Sequence, residues 1–337
     1  MKRAAAAVAA LALLATACSS NGETSDSLDG SSLTVYSGRS EELVGPLIER
    51  FEEETGVDVA VRYAGSAELA ATLLAEGSSS PADVFFAQDP ASLGSVALAG
   101  MLSTLPDDIL GLVGAQFSDP DGRWVGTSGR SRVVVYDTTL ISDADIPQTE
   151  DGFVAPEWKG RVGIAPTNGS FLAFVAAKIL LDGEEATLAW LEGMRTNQSP
   201  TFTNNSSIVS AVDEGQVESG LVNHYYLLRR RVEFGDVVGN NHFFSVATAG
   251  ALVMPAGAGI LTTAGNVPAA EAFIEFLLSQ GSQEYFSTET FEYPLLPSVA
   301  PFEGLPPLDS LATPGIDLSL LATVLDTATD LVAEAGL

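Results

Sequence analysis

The chain has 337 residues, 46% of them hydrophobic, and its 44 acidic and 15 basic side chains give a formal net charge of -29. This charge argues against nucleic acid or an anionic lipid surface as a partner and favours a soluble, monomeric surface. It attracts cations only nonspecifically, and a generally acidic, solvated surface explains it without tuning for a ligand.

The N-terminal segment predicts export. Two basic residues are followed by an apolar run that stops at Cys18, which is the only cysteine of the chain. We therefore expect residues 1–17 to be a signal peptide and Cys18 to be lipidated, which anchors the protein to the outer face of the cell membrane. The alternative is a plain signal helix followed by a free thiol. Residues 18–32 are rich in Ser, Asp and Gly and predict a flexible tether.

The rest of the chain predicts an α/β fold. Roughly 300 residues exceed what one compact core usually accommodates, so two lobes are expected. Short β-rich runs alternate with amphipathic helical segments, which is typical of a parallel sheet wrapped by helices. Strands are predicted at 33–36, 57–62, 83–86, 131–136, 220–222 and 250–254, and helices at 41–54, 67–75, 91–99, 106–113, 171–181, 184–194, 208–214, 267–278 and 318–335.

Three turns between predicted strands and helices carry small polar residues: segments 167–170 and 204–207, and Asn223. Each can serve as a helix N-cap, which needs no ligand. Such turns also bind anions, because helix N-termini present free N–H groups and ligands collect at the carboxyl ends of strands in open α/β sheets. Together they indicate a cleft wall that can hold a small anion.

Two adjacent phenols, Tyr225 and Tyr226, follow the predicted strand 220–222. Oxygen donors suit hard cations, and a bound cation allows a tyrosine to ligate as phenolate at neutral pH. Ferric iron is the obvious candidate. The alternative is that the pair opens a helix with one ring in the core and the other at the surface.

Six segments, in chain order, resemble the ferric-ion-binding periplasmic proteins of ABC transporters, and the resemblance covers nearly all of the mature chain. It implies a two-lobed class II periplasmic-binding-protein fold with two hinge strands, and capture of ferric iron for delivery to a membrane permease and its ATPase. The segments are 35–39 (Val-Tyr-Ser-Gly-Arg), 52–57 (Glu-Glu-Glu-Thr-Gly-Val), 80–85 (Ser-Pro-Ala-Asp-Val-Phe), 128–133 (Ser-Gly-Arg-Ser-Arg-Val), 163–171 (Gly-Ile-Ala-Pro-Thr-Asn-Gly-Ser-Phe) and 223–226 (Asn-His-Tyr-Tyr).

By this resemblance Tyr225 and Tyr226 match the paired tyrosine ligands of the iron. A synergistic anion, phosphate or carbonate, is held in relatives by turns and a crossing strand. The positions that match those anion contacts here are Asn168, Gly169, Ser170, Asn205, Asn223, Arg130 and Arg132.

The chain also departs from the family pattern. Members with two tyrosines add a histidine and a glutamate from the first lobe, where this chain has Ser40 and Gln88. Members with more tyrosines place one where this chain has Asn168. Ser40, Gln88 and Asp89 are therefore the candidates for first-lobe contacts with the metal or the cleft. For Asp89, a helix N-cap before Pro90 is the competing interpretation.

We expect residues 33–130 and 257–300 to form the first lobe, and 131–256 and 301–337 the second. The lobes would close over metal and anion about strands near 131–136 and 250–256. Rivals with the same fold are a binder of phosphate or phosphonate and a binder of a thiamine-like organic cation. A hydrolase is disfavoured, because no Gly-x-Ser-x-Gly segment lies between a strand and a helix.

Overall fold

The computed structural model describes residues 28–337, so the predicted signal peptide and Cys18 lie outside the described residues. Nine strands form the sheet, and the central ones are buried along their whole length, as expected for strands covered by helices on both faces. The strands are β1 (Ser32–Ser37), β2 (Asp58–Tyr63), β3 (Val84–Ala87), β4 (Val125–Asp137), β5 (Val162–Gly163), β6 (Ser219–Asn223), β7 (Gly239–His242), β8 (Val253–Ile260) and β9 (Tyr293–Pro294).

The strand order is β2-β1-β3-β8-β4-β6-β5, and β7 and β9 also pair with β4. β1 runs parallel to β2 and β3, as the alternating pattern predicts, whereas β8 is antiparallel to both β3 and β4. β1 begins at Ser32, so the described fold includes the last residue of the expected tether.

β4 joins the two halves of the sheet. Its first part, from Val125 to Ser131, pairs with β8, and its second part, from Arg132 to Tyr136, pairs with β6. The predicted strand 131–136 therefore lies within a longer strand. The predicted strand 250–254 is partly wrong: Ala249–Ala251 forms a 3-10 helix and β8 starts at Val253. A run of small apolar residues has the same periodicity in either conformation, so the sequence did not separate them.

Eleven α-helices are present in the described part of the chain. The predicted helix 106–113 is a single turn, and the predicted C-terminal helix begins as a separate 3-10 turn, Leu318–Leu320. The helix Gln280–Thr288 was not predicted, because its sequence is mostly polar. The helices are α1 (Glu41–Thr55), α2 (Ser66–Glu76), α3 (Pro90–Leu98), α4 (Asp107–Leu110), α5 (Gly169–Asp182), α6 (Glu184–Thr196), α7 (Asn205–Asp213), α8 (Tyr225–Phe234), α9 (Val267–Leu277), α10 (Gln280–Thr288) and α11 (Leu321–Glu334).

The C-terminal segment bridges helices of both predicted lobes. α11 packs against α5 and α6 and also against α3. The 3-10 turn before it is fixed by Ser319, whose hydroxyl donates to Asp119 at 2.7 Å and accepts from the indole N–H of Trp124 at 3.0 Å. Within residues 28–337, no helix is both long enough and apolar enough to cross a membrane.

Candidate functional site

A cavity of about 410 Å³ lies where the ends of β3 and β6 and the middle of β4 meet the N-termini of α3, α5 and α8. Residues from both predicted lobes line it. Among the side chains and backbone that the sequence singled out, the cavity brings together Gln88, Asp89, Arg130, Asn168, Gly169, Ser170, Asn223, Tyr225 and Tyr226. Ser66 and Ser92 also line it and were not predicted.

The tyrosine pair stands at the start of α8, immediately after the buried strand β6. The two rings are stacked, with centroids 4.2 Å apart and an interplanar angle of 28°. Tyr225 is buried, Tyr226 is half-buried, and both line the cavity. Burial, followed by the neighbouring Tyr226, raises the pKa of Tyr225 well above its ordinary value. Tyr225 is therefore a neutral phenol unless a cation replaces its proton.

His224 precedes the pair and holds the start of α8 in place. Its Nδ1 accepts a hydrogen bond from the Ser131 N–H at 3.1 Å, which leaves the proton on Nε2, and this donates to the Phe291 carbonyl at 2.8 Å. Burial lowers the pKa of His224 to about 4, so the ring is neutral at pH 7. Because both ring nitrogens are engaged, His224 has a structural role.

Two buried guanidinium groups give the cavity positive charge. Arg130 lines it and donates from Nη2 to the carbonyl groups of Gln88 and Pro255. Arg132 lies behind the wall and donates from Nη1 to Ser170 Oγ and Asn223 Oδ1, both at 3.3 Å. Burial lowers the pKa of Arg132 to about 10, which still leaves it charged at pH 7. Neither arginine has a carboxylate partner among the described residues.

The three predicted polar turns meet at one network. Asn168 caps α5, since its Oδ1 accepts from the Ser170 N–H at 3.1 Å and from the Ser170 hydroxyl at 2.7 Å. Asn205, buried behind these residues, donates from Nδ2 to Asn168 Oδ1 at 3.1 Å and to Ser170 Oγ at 3.0 Å. Its Oδ1 accepts from the Asn223 N–H at 3.1 Å. Asn205 therefore positions the wall rather than lining it.

One of the three expected caps is wrong. Asn204 caps α7 through a hydrogen bond from the Ser207 N–H at 2.9 Å, as predicted. Asn223 instead ends β6, and α8 begins after His224 without a side-chain cap. His224, which already has helical backbone angles, occupies the single position between strand and helix, so Asn223 is one residue too early to be the cap.

The three first-lobe candidates occupy different places. Asp89 lines the cavity and also caps α3, with Oδ1 accepting from the Ser92 N–H at 2.8 Å. Gln88 lines it too, and its N–H donates to Ser66 Oγ at 2.8 Å. Ser40 is exposed at the N-terminus of α1 and does not line the cavity.

Sequence reasoning missed a buried ion pair behind the tyrosines. Arg39 and Glu292 form two parallel hydrogen bonds of 2.9 and 2.8 Å, and both side chains are 1% exposed. Burial opposes ionisation of Glu292, but the guanidinium groups of Arg39 and Arg130, with hydrogen bonds from Arg39 and Ser128, lower its pKa to about 2. Arg39 is the last residue of the segment 35–39, but no local sequence pattern identifies a partner that lies 253 residues away.

The oxygen donors of the cavity can hold a hard cation only if further ligands from outside the chain complete its coordination. The described residues contain no group of three or more His, Cys, Asp or Glu side chains that could hold a metal ion. The cavity instead offers two phenols, the carboxylate of Asp89 and the amide of Gln88. The charged side chains nearest the cavity are the guanidinium groups of Arg130 and Arg132 and the carboxylate of Asp89, with the buried Glu292 also acting on Arg130.

The comparisons with known proteins agree with this geometry. Residues 46–309 match the model of the family described as bacterial extracellular solute-binding protein. The chain is 35% identical over 308 residues to a Serratia marcescens protein named Fe(3+)-binding periplasmic protein, covering 90% of each chain. It superposes on iron-bound HitA from Pseudomonas aeruginosa with a TM-score of 0.83 and 32% identity, covering 91% of this chain and all of that one.

A Trichodesmium structure containing iron and citrate is similar as well, with a TM-score of 0.80 and 25% identity over 90% of this chain and 99% of that chain. These likenesses confirm the predicted class II periplasmic-binding-protein fold. They also confirm that the protein is not an enzyme, since the relatives are binding proteins. The chain thus belongs to the bacterial extracellular solute-binding proteins, in the group that includes the Fe(3+)-binding periplasmic proteins.

Proposed function

We propose that the protein captures ferric iron in the cavity between its two lobes, with Tyr225 and Tyr226 as phenolate ligands. The observation that carries the proposal is the stacking of these two rings at the cavity, beside buried guanidinium groups. Relatives that are named for Fe(3+) binding align over 90% of the chain and support it.

Ligation replaces a proton by a metal. The raised pKa of Tyr225 keeps it neutral in water, but a trivalent cation outweighs the cost of burial and makes the phenolate the stable form. Nearby guanidinium charge acts in the same direction: Arg130 favours the Tyr225 phenolate, and the charges of Arg39 and Arg132 interact favourably with both phenolates. The site is thus built so that metal binding, rather than pH, ionises Tyr225.

A synergistic anion such as phosphate or carbonate completes the site. Two phenolates supply two of about six positions around ferric iron. Arg130 has no carboxylate partner in the described chain, and it lies in the same cavity as Ser170 and the N-terminus of α5. A helix N-terminus and an unpaired guanidinium both favour a bound anion. The rest of the cavity wall near this anion site is formed by Asn168, Gly169 and Asn223. Behind the wall, Asn205 and Arg132 hold these residues in place through hydrogen bonds.

Closure of the lobes follows from the placement of these groups. The metal ligands belong to the predicted second lobe, whereas Gln88, Asp89 and Arg130 belong to the predicted first lobe. Only a ligand that contacts both sides stabilises the closed arrangement, so metal and anion together select it. β4 and β8 connect the lobes and would bend.

The proposal extends to transport. An exported chain with a lipid on Cys18 would be anchored at the outer face of the cell membrane. There it would act as a monomer and pass iron to an ABC permease that is driven by its ATPase. The signal-like N-terminus and the names of the relatives support this part.

The direct test is a titration of the purified protein with ferric citrate, with and without added phosphate or bicarbonate, followed by visible absorption. A phenolate-to-iron band that saturates near one iron per chain is expected. An anion-dependent band would identify what completes the coordination. No band under any anion would remove iron from the proposal.

A second candidate, an anion binder without iron, is favoured by one observation: Arg130 is a buried cation that lacks a carboxylate. Calorimetry with phosphate or a phosphonate in the presence of an iron chelator tests it, and strong binding there would favour this candidate. An organic cation is not favoured, because Tyr225 and Tyr226 are the only aromatic residues of the described chain that line the cavity.

A further inference from the structure

Arg229 lies one helical turn after Tyr225 on α8, where side chains four residues apart are neighbours. Its guanidinium carbon is 4.7 Å from the centroid of the Tyr225 ring. The Nη2 atom of Arg229 is buried and has no hydrogen-bond acceptor among the described residues. The face of the Tyr225 ring is therefore the partner that the structure gives to this charge.

The next two arginines differ from it. Arg230 lies over Phe234, with its guanidinium carbon 4.6 Å from the ring centroid, and donates to Asp213 Oδ2 and Ser210 Oγ, both at 2.8 Å. Arg231 donates to the Gly239 carbonyl at 2.8 Å. Both are held by ordinary hydrogen-bond acceptors. Of the three consecutive arginines, Arg229 is the one whose guanidinium group packs on a predicted metal ligand.

We propose that Arg229 is a positioning residue for the iron ligand Tyr225, holding the ring against Tyr226 and stabilising its phenolate form through the ring face. This inference rests on the proposed ferric function. A guanidinium over an aromatic face is attracted by the negative π-cloud, and a phenolate carries more negative charge than a phenol, so the attraction strengthens when iron binds. Since the Tyr226 ring stacks on Tyr225 at 4.2 Å, fixing one ring constrains both.

The consequence is measurable in the colour of the iron complex. A cation over the ring lowers the energy of the phenolate electrons that are promoted to iron in the visible transition. Removing the cation raises their energy, so the band moves to longer wavelength. The affinity for iron should fall about 3- to 30-fold, in line with a partly desolvated cation–π contact.

The experiment compares wild type with Arg229→Gln, Arg229→Lys and the control Arg230→Gln, which removes the neighbouring charge from over a ring outside the cavity. Each purified protein is titrated with ferric iron against citrate as competitor, and the band position is recorded at saturation. We expect a longer-wavelength band and weaker binding for R229Q, an intermediate band for R229K, and the wild-type band for R230Q.

The outcomes separate this inference from the proposed function. No iron band in wild type would defeat the function itself. A wild-type band that R229Q leaves unchanged in both position and affinity would overturn the role of Arg229. A shift of equal size in R230Q, or an R229K band that coincides with that of R229Q, would overturn it too. Circular dichroism identifies a variant that fails to fold; if R229Q does so, a wild-type band and affinity in R229K would count against the inference.

Discussion

The Asn205 side chain joins two turns of the cavity wall, because its amide donates to Ser170 Oγ at 3.0 Å while its carbonyl oxygen accepts from the Asn223 N–H at 3.1 Å. Asn205→Ala should therefore cost about 1–3 kcal/mol of stability, since it leaves buried groups unpaired, and it should also weaken anion-dependent iron binding. Urea unfolding and the ferric titration measure the two effects.

The adjacent residue supplies the control for this prediction. Asn204 is an exposed helix cap of α7 and does not line the cavity. Asn204→Ala should lower stability by about 1 kcal/mol and leave iron binding unchanged. Equal losses of binding in both variants would show that general loosening of α7, rather than the link between turns, affects the site.

Replacing either tyrosine of the pair should remove iron binding. Tyr225→Phe and Tyr226→Phe each delete one phenolate oxygen while keeping the ring, so we expect affinity to fall by more than the roughly 10- to 100-fold typical of a supporting group. The visible band should be lost or strongly reduced. Tyr63→Phe, at the end of β2 and outside the cavity, is the matched control. Unchanged spectra in both site variants would reject the assignment.

Arg130 should affect the binding of the anion rather than the direct ligation of the metal. Arg130→Gln removes a charge that has no carboxylate partner among the described residues, so the phosphate or bicarbonate concentration needed for half-maximal iron binding should rise about 10- to 100-fold. Arg62→Gln, which removes a half-exposed guanidinium outside the cavity, should leave it unchanged. The measurement is an anion titration at fixed iron. An R130Q curve that overlays wild type would place the anion elsewhere.

The buried pair Arg39–Glu292 should make stability depend on pH. The pKa of Glu292 in the folded protein is about 2, which is below its ordinary value, so its contribution is complete above about pH 5 and is lost as the pH falls through about 4 towards 2. Glu292→Gln should cost about 3–5 kcal/mol at pH 7, because it leaves a buried guanidinium unpaired.

The pH dependence of that loss is the check. The difference in unfolding free energy between wild type and E292Q should shrink as the pH approaches 2, because wild type then also loses the carboxylate charge. Glu218→Gln, in the half-exposed pair with Arg161, should cost no more than about 1 kcal/mol. A loss for E292Q that stays constant from pH 7 to pH 3 would contradict the assigned ionisation.

Gly94 should be required for the docking of the C-terminal segment. A Cβ atom at this position in α3 would collide with the Ser319 carbonyl oxygen, which is backbone and cannot move away alone. Gly94→Ala should therefore destabilise the protein and expose the segment from Leu318 onward to proteolysis. Gly45→Ala, in α1 with 3.5 Å to the nearest atom outside its chain neighbours, meets no such collision and should leave the segment from Leu318 onward protected from proteolysis. Equal behaviour of the two variants in urea and protease assays would refute the close approach.

The sequence by itself determined the local chemistry of the site. Asp89, Asn168 and Asn204 were identifiable as helix caps because a cap bonds to an N–H two or three residues further on. The two tyrosines were placed directly after a buried strand, since a short apolar run followed by a helical segment is also a local pattern. The alternation of strands and helices predicted the α/β fold for the same reason.

Only the tertiary structure decided which distant groups meet. The pairing of Arg39 with Glu292, the contact between His224 and Phe291, and the exclusion of Ser40 from the cavity depend on how β1, β4 and β9 are brought together. These contacts cannot be predicted from local sequence patterns. The order of the strands determines which residues far apart in the chain are buried together and form hydrogen bonds. That order also placed Arg130 at the cavity with the carbonyl groups of Gln88 and Pro255 as its hydrogen-bond acceptors.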